Sequence, residues 1–246
     1  MKGNEEKKKK DLRLTAEELN RYRYRRRLFT ILLSAFAILF GTLYAIATVY
    51  MVTGSFTVNV NKYEMVTLGL SLSEHADLSK PTSVLNARID QAITNIAEED
   101  LPDNVNEIDG VHNGKNHIAY TFYLFNSGTT DEVNYEWQVK MSNVFNGIDE
   151  AIRLKLYITH LNTTDTNKVD SVTTYAKTAS DGSGAERGTT PFYSTDIMAK
   201  GRVDDFHVGC VTKFTVVLWL EGNDPDCVDW IKGGKMKIEM AMSIIH

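Results

Sequence analysis

The sequence has little cysteine, and it has none of the short motifs that mark common catalytic sites. The two cysteines, Cys210 and Cys227, are separated by sixteen residues, a spacing that zinc sites do not use. No G-x-S-x-G, H-E-x-x-H, P-loop or G-x-G-x-x-G pattern occurs. The sequence therefore predicts that the protein is not an enzyme and has no metal or cofactor.

The chain also lacks an excess of positive charge, since its formal net charge at pH 7 is -5. Residues 1–27 carry eleven Lys or Arg against five Asp or Glu, a net charge of +6, which leaves -11 for the rest. An acidic body of this kind repels the phosphates of nucleic acids, so no nucleic-acid partner is expected. The split between a basic tail and an acidic body suggests that the two parts occupy different compartments.

Residues 28–52 contain no charged side chain. A helix of 25 residues is ~37 Å long, enough to cross a ~30 Å hydrocarbon core. Arginines directly precede it: Arg21, Arg23, Arg25, Arg26 and Arg27. Because such residues stay on the cytoplasmic side, we predict a cytoplasmic tail at 1–27, a transmembrane helix at 28–52 and an extracellular domain at 53–246. The same arginines are candidates for contact with anionic lipid.

Three alternatives for this segment stay open. Ala45-Ile46-Ala47 resembles a signal-peptidase site, so cleavage after Ala47 is one of them, although the apolar run continues to Val52. A buried core helix is the second, and the arginine cluster argues against it. A helix–helix contact through Gly41 and Ala45 is the third. Thr15 and Glu18 form a capping box, which predicts that the helix starts near Ala16.

The remainder of the chain shows the alternation of apolar and polar residues that is typical of strands. The predicted strands are 55–61, 65–73, 117–125, 135–144, 153–160, 172–177, 210–220 and 235–245. Helices are predicted near 89–96 and from Asp224 to Lys232, where Asp224 caps and Pro225 opens the helix. Seven to nine short strands favour a mainly β domain, an immunoglobulin-like sandwich.

A disulfide between Cys210 and Cys227 is one candidate feature, because the outside of a cell is oxidising. A straight strand over 211–220 is ~30 Å long, whereas the six residues that follow return at most ~20–24 Å. A bridge needs Cα atoms within about 7 Å, so the pair forms only if the strand is short or bent.

Several charged side chains also need an explanation. Asp224, Asp226 and Asp229 are explained by helix capping, with a calcium site as the alternative. Arg153 and Glu221 lie in apolar strands, so we expect each to face solvent or to have a partner. Asn162-Thr163-Thr164 is a glycosylation sequon, which matters only in a secretory system that uses one.

The segments HNGKNHIAYTFYL (112–124) and VVLWLEGNDPDC (216–227) resemble an uncharacterised group of Gram-positive membrane-anchored surface proteins, as do residues 151–153 and 175–177. That group looks like distant kin of the camelysin and TasA-type biofilm matrix proteins, which share an N-terminal apolar segment and a β-sandwich. The resemblance implies a surface location and supplies no catalytic residues.

These observations favour a membrane-anchored surface protein that presents its domain to a protein partner or to another copy of itself. Residues 55–61 are expected to form an edge strand, or to insert into a neighbour if the anchor is cut. The alternatives are an accessory or sensory subunit of a membrane complex, a secreted fibre-forming subunit, and an enzyme. An enzyme would have to assemble its site from distant residues such as Ser194, Asp204, Asp205 and His207.

Overall fold

The computed structural model describes residues 2–52, 54–89, 92–129, 132–161 and 170–245. They belong to two compact units, Met1–Val52 and Thr53–His246. The sequon at 162–164 lies outside the described residues.

The first unit is one helix, α1 (Lys2–Val52). It begins at Lys2, so the start near Ala16 predicted from Thr15 and Glu18 is wrong. The preceding residues, EEKKKKDLRL, are mostly strong helix formers that mix acidic and basic side chains, so the helix continues through them to the N-terminal side.

The second unit is mainly β. In chain order its elements are β1 (Gly54–Val60), α2 (Lys62–Leu68), β2 (Leu70–Ser73), β3 (Val84–Ile89), a 3₁₀ turn (Glu98–Asp100), β4 (Gly110–Val111), β5 (His117–Asn126), β6 (Glu132–Phe145), a 3₁₀ turn (Ile148–Glu150), β7 (Ile152–Leu161), β8 (Ser171–Ala176), β9 (Thr190–Pro191), β10 (Ile197–His207), β11 (Val211–Leu220), a 3₁₀ turn (Asp229–Ile231) and β12 (Lys235–Ile245).

The strands form two sheets. The first has the order β10-β6-β12-β1-β3, and the second has the order β2-β5-β11-β7-β8-β9 with β4 beside β5. The described pairings are antiparallel except for β1 with β12 and β8 with β9. The prediction of a mainly β domain behind an apolar N-terminal helix is confirmed.

The two sheets share one hydrophobic core. Phe56 of the first sheet packs edge-on against Tyr120 of the second, with ring centroids 5.8 Å apart. Trp137 meets Phe214 in the same way at 6.1 Å. The Tyr135 hydroxyl donates to Thr212 Oγ1 across the core at 2.8 Å, so its buried polar atom is satisfied.

Strands β5 and β11 are buried on both faces, which explains their nearly continuous apolar sequences. Their inner faces lie in the shared core. Val105, from the long connection between β3 and β5, lies on their outer faces against Ala119, Val217 and Trp219. The second sheet is therefore covered by loop residues as well as by the first sheet.

The strand predicted at 65–73 is only half correct, because its first part is α2. The Asn61 side chain accepts a hydrogen bond from the Tyr63 N–H at 2.9 Å and caps the helix. Gly69 ends it in the left-handed conformation, with φ of 76°. These two end residues outweigh the alternating pattern of the segment.

The helix predicted near 89–96 is wrong. The preceding residues form β3, in which Leu85 and Ala87 pair with Val58 and Phe56 of β1 and are buried with them. Residues 92–95 have no regular structure. Leu85 and Ala87 are two residues apart, so an extended strand beside β1 places both side chains in the core. This burial favours a strand in the residues that lead into the predicted helix.

Strand β1 is an interior strand, so the expectation of an edge strand at 55–61 is wrong. It pairs with β12 on one side and with β3 on the other. Phe56 and Val58 are completely buried. The strand that follows the apolar helix is thus a central part of its own domain.

Candidate functional site

The apolar part of α1 is the first candidate site. The stretch Glu18–Ala45 is long and apolar enough to cross a membrane, by length and composition only. None of its side chains is buried within the protein. A core helix would bury one face, whereas this stretch buries none, so its apolar side chains are left available to lipid.

The polar groups within this stretch are satisfied by the helix itself. Thr30, Ser34 and Thr42 each donate a hydroxyl hydrogen bond of 2.8 Å to the backbone carbonyl three residues earlier. Such bonds remove the cost of placing a hydroxyl in hydrocarbon. The helix therefore offers lipid a surface without an unsatisfied hydroxyl at these positions.

The predicted arginines lie along the helix just before the charge-free run and are exposed. They are Arg21, Arg23, Arg25, Arg26 and Arg27. Tyr22 and Tyr24 lie among them and are also exposed. Tyrosine and arginine together are typical of the boundary between lipid and water.

The two predicted cysteines are both thiols in the structure. Cys210 precedes β11 and is buried in the core, whereas Cys227 follows the opposite end of that strand and is half-buried. Strand β11 pairs with β7 over its full ten residues, so it is not short and has one cysteine beyond each of its ends. The condition that a disulfide required is therefore not met.

A buried ion pair joins two parts of the domain. Arg153 of β7 donates from Nη2 to Asp224 Oδ2, and the two side chains are 4% and 0% exposed. The prediction that Arg153 has a partner is confirmed. The predicted helix from Asp224 to Lys232 is wrong, because Asp224 lies inside the domain with its carboxylate on Arg153 and only Asp229–Ile231 forms a 3₁₀ turn.

Glu186 completes this cluster from the long loop between β8 and β9. Its Oε2 lies 3.9 Å from Arg153 Nη2. Burial raises the pKa of the Glu186 carboxyl, and the neighbouring Asp224 raises it further, while Arg153 opposes both. The loop between β8 and β9 thus places a carboxyl group with a raised pKa next to the Arg153–Asp224 ion pair.

Asp226 fixes the same loop in place. Its carboxylate accepts hydrogen bonds from the Ser180 backbone N–H at 3.1 Å and from the Ser180 hydroxyl at 2.5 Å. Its own backbone N–H donates to Asp224 Oδ1 at 2.8 Å. The loop at 177–190 and the turn at 221–227 are therefore held to each other and to β7.

The carboxylates that lie together in the structure are not the three that the sequence suggested for a calcium site. Carboxylate oxygens of Glu186, Asp224 and Asp226 lie within 4.8 Å of one another, and carboxylates are the ligands that calcium prefers. Asp229, the third residue of the predicted set, is instead exposed and paired with Lys232. The Arg153 guanidinium already supplies a positive charge to Asp224. The cluster therefore connects the loop between β8 and β9 with the turn after β11.

Glu221 faces the same end of the domain without entering the cluster. Its carboxylate accepts from Trp219 Nε1 at 3.0 Å and from the Asn223 N–H at 3.0 Å. The expectation that this charge has a partner is confirmed, since it satisfies a buried indole and stabilises the turn after β11.

An open cleft of about 550 Å³ lies on the outer face of the second sheet, on the side of Val211. Its lining includes Leu78, Tyr123 and Val211 together with Asn106 and Lys213. Lys213 Nζ donates to the Asn106 carbonyl, and Tyr123 donates to Asp109 at 2.6 Å. The side chains of Lys213 and Tyr123 therefore already bond within the protein, whereas the buried Asn106 Oδ1 has no hydrogen-bond partner among the described residues.

The residues considered for an enzyme are not brought together. Ser194 precedes β10, where its hydroxyl accepts from the Ile197 N–H at 3.1 Å, and His207 ends that eleven-residue strand. Asp204 is exposed and pairs with Arg202. These groups are spread along one strand and do not line the cleft.

Comparison with family models, with curated proteins and with solved structures found no match to this chain.

Proposed function

We propose that this chain is a single-pass, membrane-anchored surface protein that presents an immunoglobulin-like β-sandwich to another protein of the cell envelope or to a second copy of itself. One observation carries the proposal: a long helix whose apolar stretch Glu18–Ala45 has no buried side chain is joined directly to a domain with a hydrophobic core of its own. A helix of this kind needs lipid, and the domain does not.

The arginine cluster supports the orientation within this proposal. Five exposed arginines lie immediately before the charge-free run, and Lys or Arg residues next to a span are retained in the cytoplasm. The tail is therefore cytoplasmic and the β domain extracellular. The two mostly antiparallel sheets around one core support an immunoglobulin-like class.

Partner binding in the proposal uses an open sheet edge. Sheet edges recruit strands unless bulges or charges blunt them. Strand β10 is blunted, since it carries two register shifts and an exposed Arg202–Asp204 pair. Strand β3 pairs with β1 alone among the described residues, its register with β1 is regular, and its Val84 is exposed. We therefore assign partner binding to the edge at β3.

Expression of the full chain in a Gram-positive host, followed by membrane fractionation and intact-mass measurement, tests the anchoring. A full-length mass confined to membranes supports it. A product in the medium whose mass starts at Thr48 would instead make the chain a secreted subunit.

The double substitution V84K/N86K tests the edge. Both side chains are exposed, so the domain should fold normally while added charge blocks strand pairing. We expect concentration-dependent association of the full chain, measured by sedimentation in detergent micelles, to be lost in this variant. The matched control K200E changes the charge of the already blunted β10 and should leave association unchanged.

An accessory subunit of a membrane complex is the second candidate, because Gly41 has no neighbouring atom within 4 Å of an added Cβ and Ala45 follows it by four residues. Two small residues at this spacing allow close helix packing. Replacing residues 28–52 by an unrelated anchor separates the two functions. Loss of partner binding in this variant would favour the accessory subunit, whereas retained partner binding would favour surface presentation.

A further inference from the structure

One end of the β domain is covalently attached to the helix. Val52 ends α1 and Gly54 begins β1, with one residue between them. Strand β12 runs parallel to β1, with Phe56 opposite Ile238, and the last residue of β6, Phe145, pairs with Lys235. The starts of β1 and β12 and the end of β6 therefore share this attached end.

The attached end carries exposed apolar side chains, here called the aromatic rim: Val144, Phe145, Val228 and Trp230. Phe145 is 49% exposed and Trp230 is 58% exposed. The last four residues of β6 are all exposed, so the alternation of buried and exposed side chains stops before the end of the strand. Large exposed apolar side chains that lie together usually mark an interaction surface.

The rim is built by contacts between its two segments. The Trp230 ring lies over Gly147, whose added Cβ would be 2.2 Å from ring carbon Cη2. The Asn146 side chain donates to the Lys232 carbonyl at 3.1 Å. The indole is thus held by the turn after β6 while most of its surface remains open.

Positive charge accompanies the rim. Lys232, Lys235 and Lys237 lie in or next to its second segment, and the one acidic residue within that segment, Asp229, is paired with Lys232 at 2.8 Å. The acidic residues Glu221, Asp224 and Asp226 precede the rim residue Val228 in the connection from β11 of the second sheet to β12 of the first, and Glu186 lies in the loop between β8 and β9. The attached end therefore has lysines beside the rim, while these carboxylates bond within the domain to Arg153, Ser180 and Trp219.

We propose that the aromatic rim rests in the headgroup region of the same membrane that holds α1. Tryptophan favours this region because it accepts both an apolar ring and a polar N–H, and lysines extend their stems across it towards anionic headgroups. The inference rests on the proposed anchoring, which keeps this end of the domain near lipid.

The opposite end provides a matched comparison. It also has exposed apolar residues, Tyr63 and Val66 of α2, which follows the end of β1. Strands of seven to eleven residues separate the two ends by about 20–35 Å. A probe at Val66, which is 77% exposed, therefore samples water when the rim meets lipid.

Tryptophan fluorescence of the full chain in nanodiscs tests the proposal. The chain has three tryptophans, of which Trp137 and Trp219 are buried and Trp230 is exposed. Nanodiscs of phosphatidylcholine and phosphatidylglycerol, with and without a headgroup-labelled spin lipid, would measure quenching. The difference in emission between wild type and W230F gives the share that Trp230 contributes. We expect the spin label to remove this share.

The double variant W230F/V66W moves the exposed indole to the opposite end and should show no quenching beyond that of W230F. Quenching that is equal in wild type and W230F would overturn the proposal, as would equal quenching of both indole positions. A shift to a dimer that W230F abolishes, without quenching, would assign the rim to a second copy instead. Fractionation in cells tests the anchoring separately, because nanodiscs hold α1 whatever its fate in the host.

Discussion

The buried pair of Arg153 and Asp224 gives the sharpest prediction about stability. The substitution D224N removes the carboxylate but keeps an oxygen that can accept from the Asp226 N–H. It leaves a guanidinium that is 4% exposed without its closest anion. Breaking a buried ion pair in this way typically costs ~3–5 kcal/mol, a large part of the ~5–15 kcal/mol that stabilises a domain.

Glu186 limits this loss, because its carboxylate lies 3.9 Å from the same guanidinium nitrogen. We therefore expect the lower end of the range, about 3 kcal/mol, when the free energy of unfolding is measured by urea titration at neutral pH. The full chain in detergent micelles is suitable, with emission from the buried Trp137 and Trp219 as the signal. The slope of free energy against urea should not change.

Two further variants check the reasoning. D204N breaks the exposed pair between Arg202 and Asp204 and should cost at most ~0.5 kcal/mol, since exposed pairs contribute little. The double variant R153M/D224N removes both charges and should recover at least half of the loss. A loss in D224N no larger than that in D204N would refute the claim that this pair holds the loops together.

The remaining predictions concern single positions. E186Q should flatten the dependence of the free energy of unfolding on pH. The raised pKa of Glu186 gives stability that is fully present below its ordinary value of 4.5 and is lost as pH rises through the higher folded value. Urea titrations of both proteins from pH 4 to 7 measure this, and an equal slope of unfolding free energy against pH would contradict it. G69A should destabilise the domain by more than 1 kcal/mol, since Gly69 has φ of 76° and an added Cβ would lie 2.2 Å from the Gly128 backbone nitrogen; an unchanged melting temperature would contradict it. Maleimide should modify both Cys210 and Cys227 in urea without reductant and only Cys227 in the folded chain; a mass lacking two adducts in urea would indicate a disulfide.

Local sequence pattern was sufficient where one physical demand dominates. The charge-free run predicts the apolar helix because only lipid or a core accommodates it. The alternation in β6 and β12 predicts strands with one buried face, and both are present. In the segment 65–73, by contrast, only the second part is a strand, because residues 65–68 belong to α2, whose conformation Asn61 and Gly69 at its ends determine.

Strand β10 shows where pattern reasoning fails. Its residues Arg202, Asp204 and Asp205 suggest a solvated loop, yet they lie on an edge strand with a bulge between Val203 and Phe206. The bulge shifts the period of two, so the buried Val203 and Phe206 no longer alternate regularly. A pattern of fixed period cannot detect such a strand.

The charged cluster could be predicted only in part. An arginine within an apolar strand indicates that Arg153 needs a partner, but Asp224 is 71 residues away in sequence. Glu186 lies in a loop whose composition carries no signal of burial. Only the pairing of β7 with β11 brings these residues to one end of the domain.

The parallel pairing of β1 with β12 has a mechanical consequence for an anchored protein. A partner that pulls on the end of β12 loads β1 through the anchor, and the two strands are then drawn in opposite directions along their length. Their interstrand hydrogen bonds, from Phe56 opposite Ile238 to Val60 opposite Met242, must all shear together rather than open one after another. In the proposed anchored protein, this geometry would resist tension applied between the helix and the end of β12.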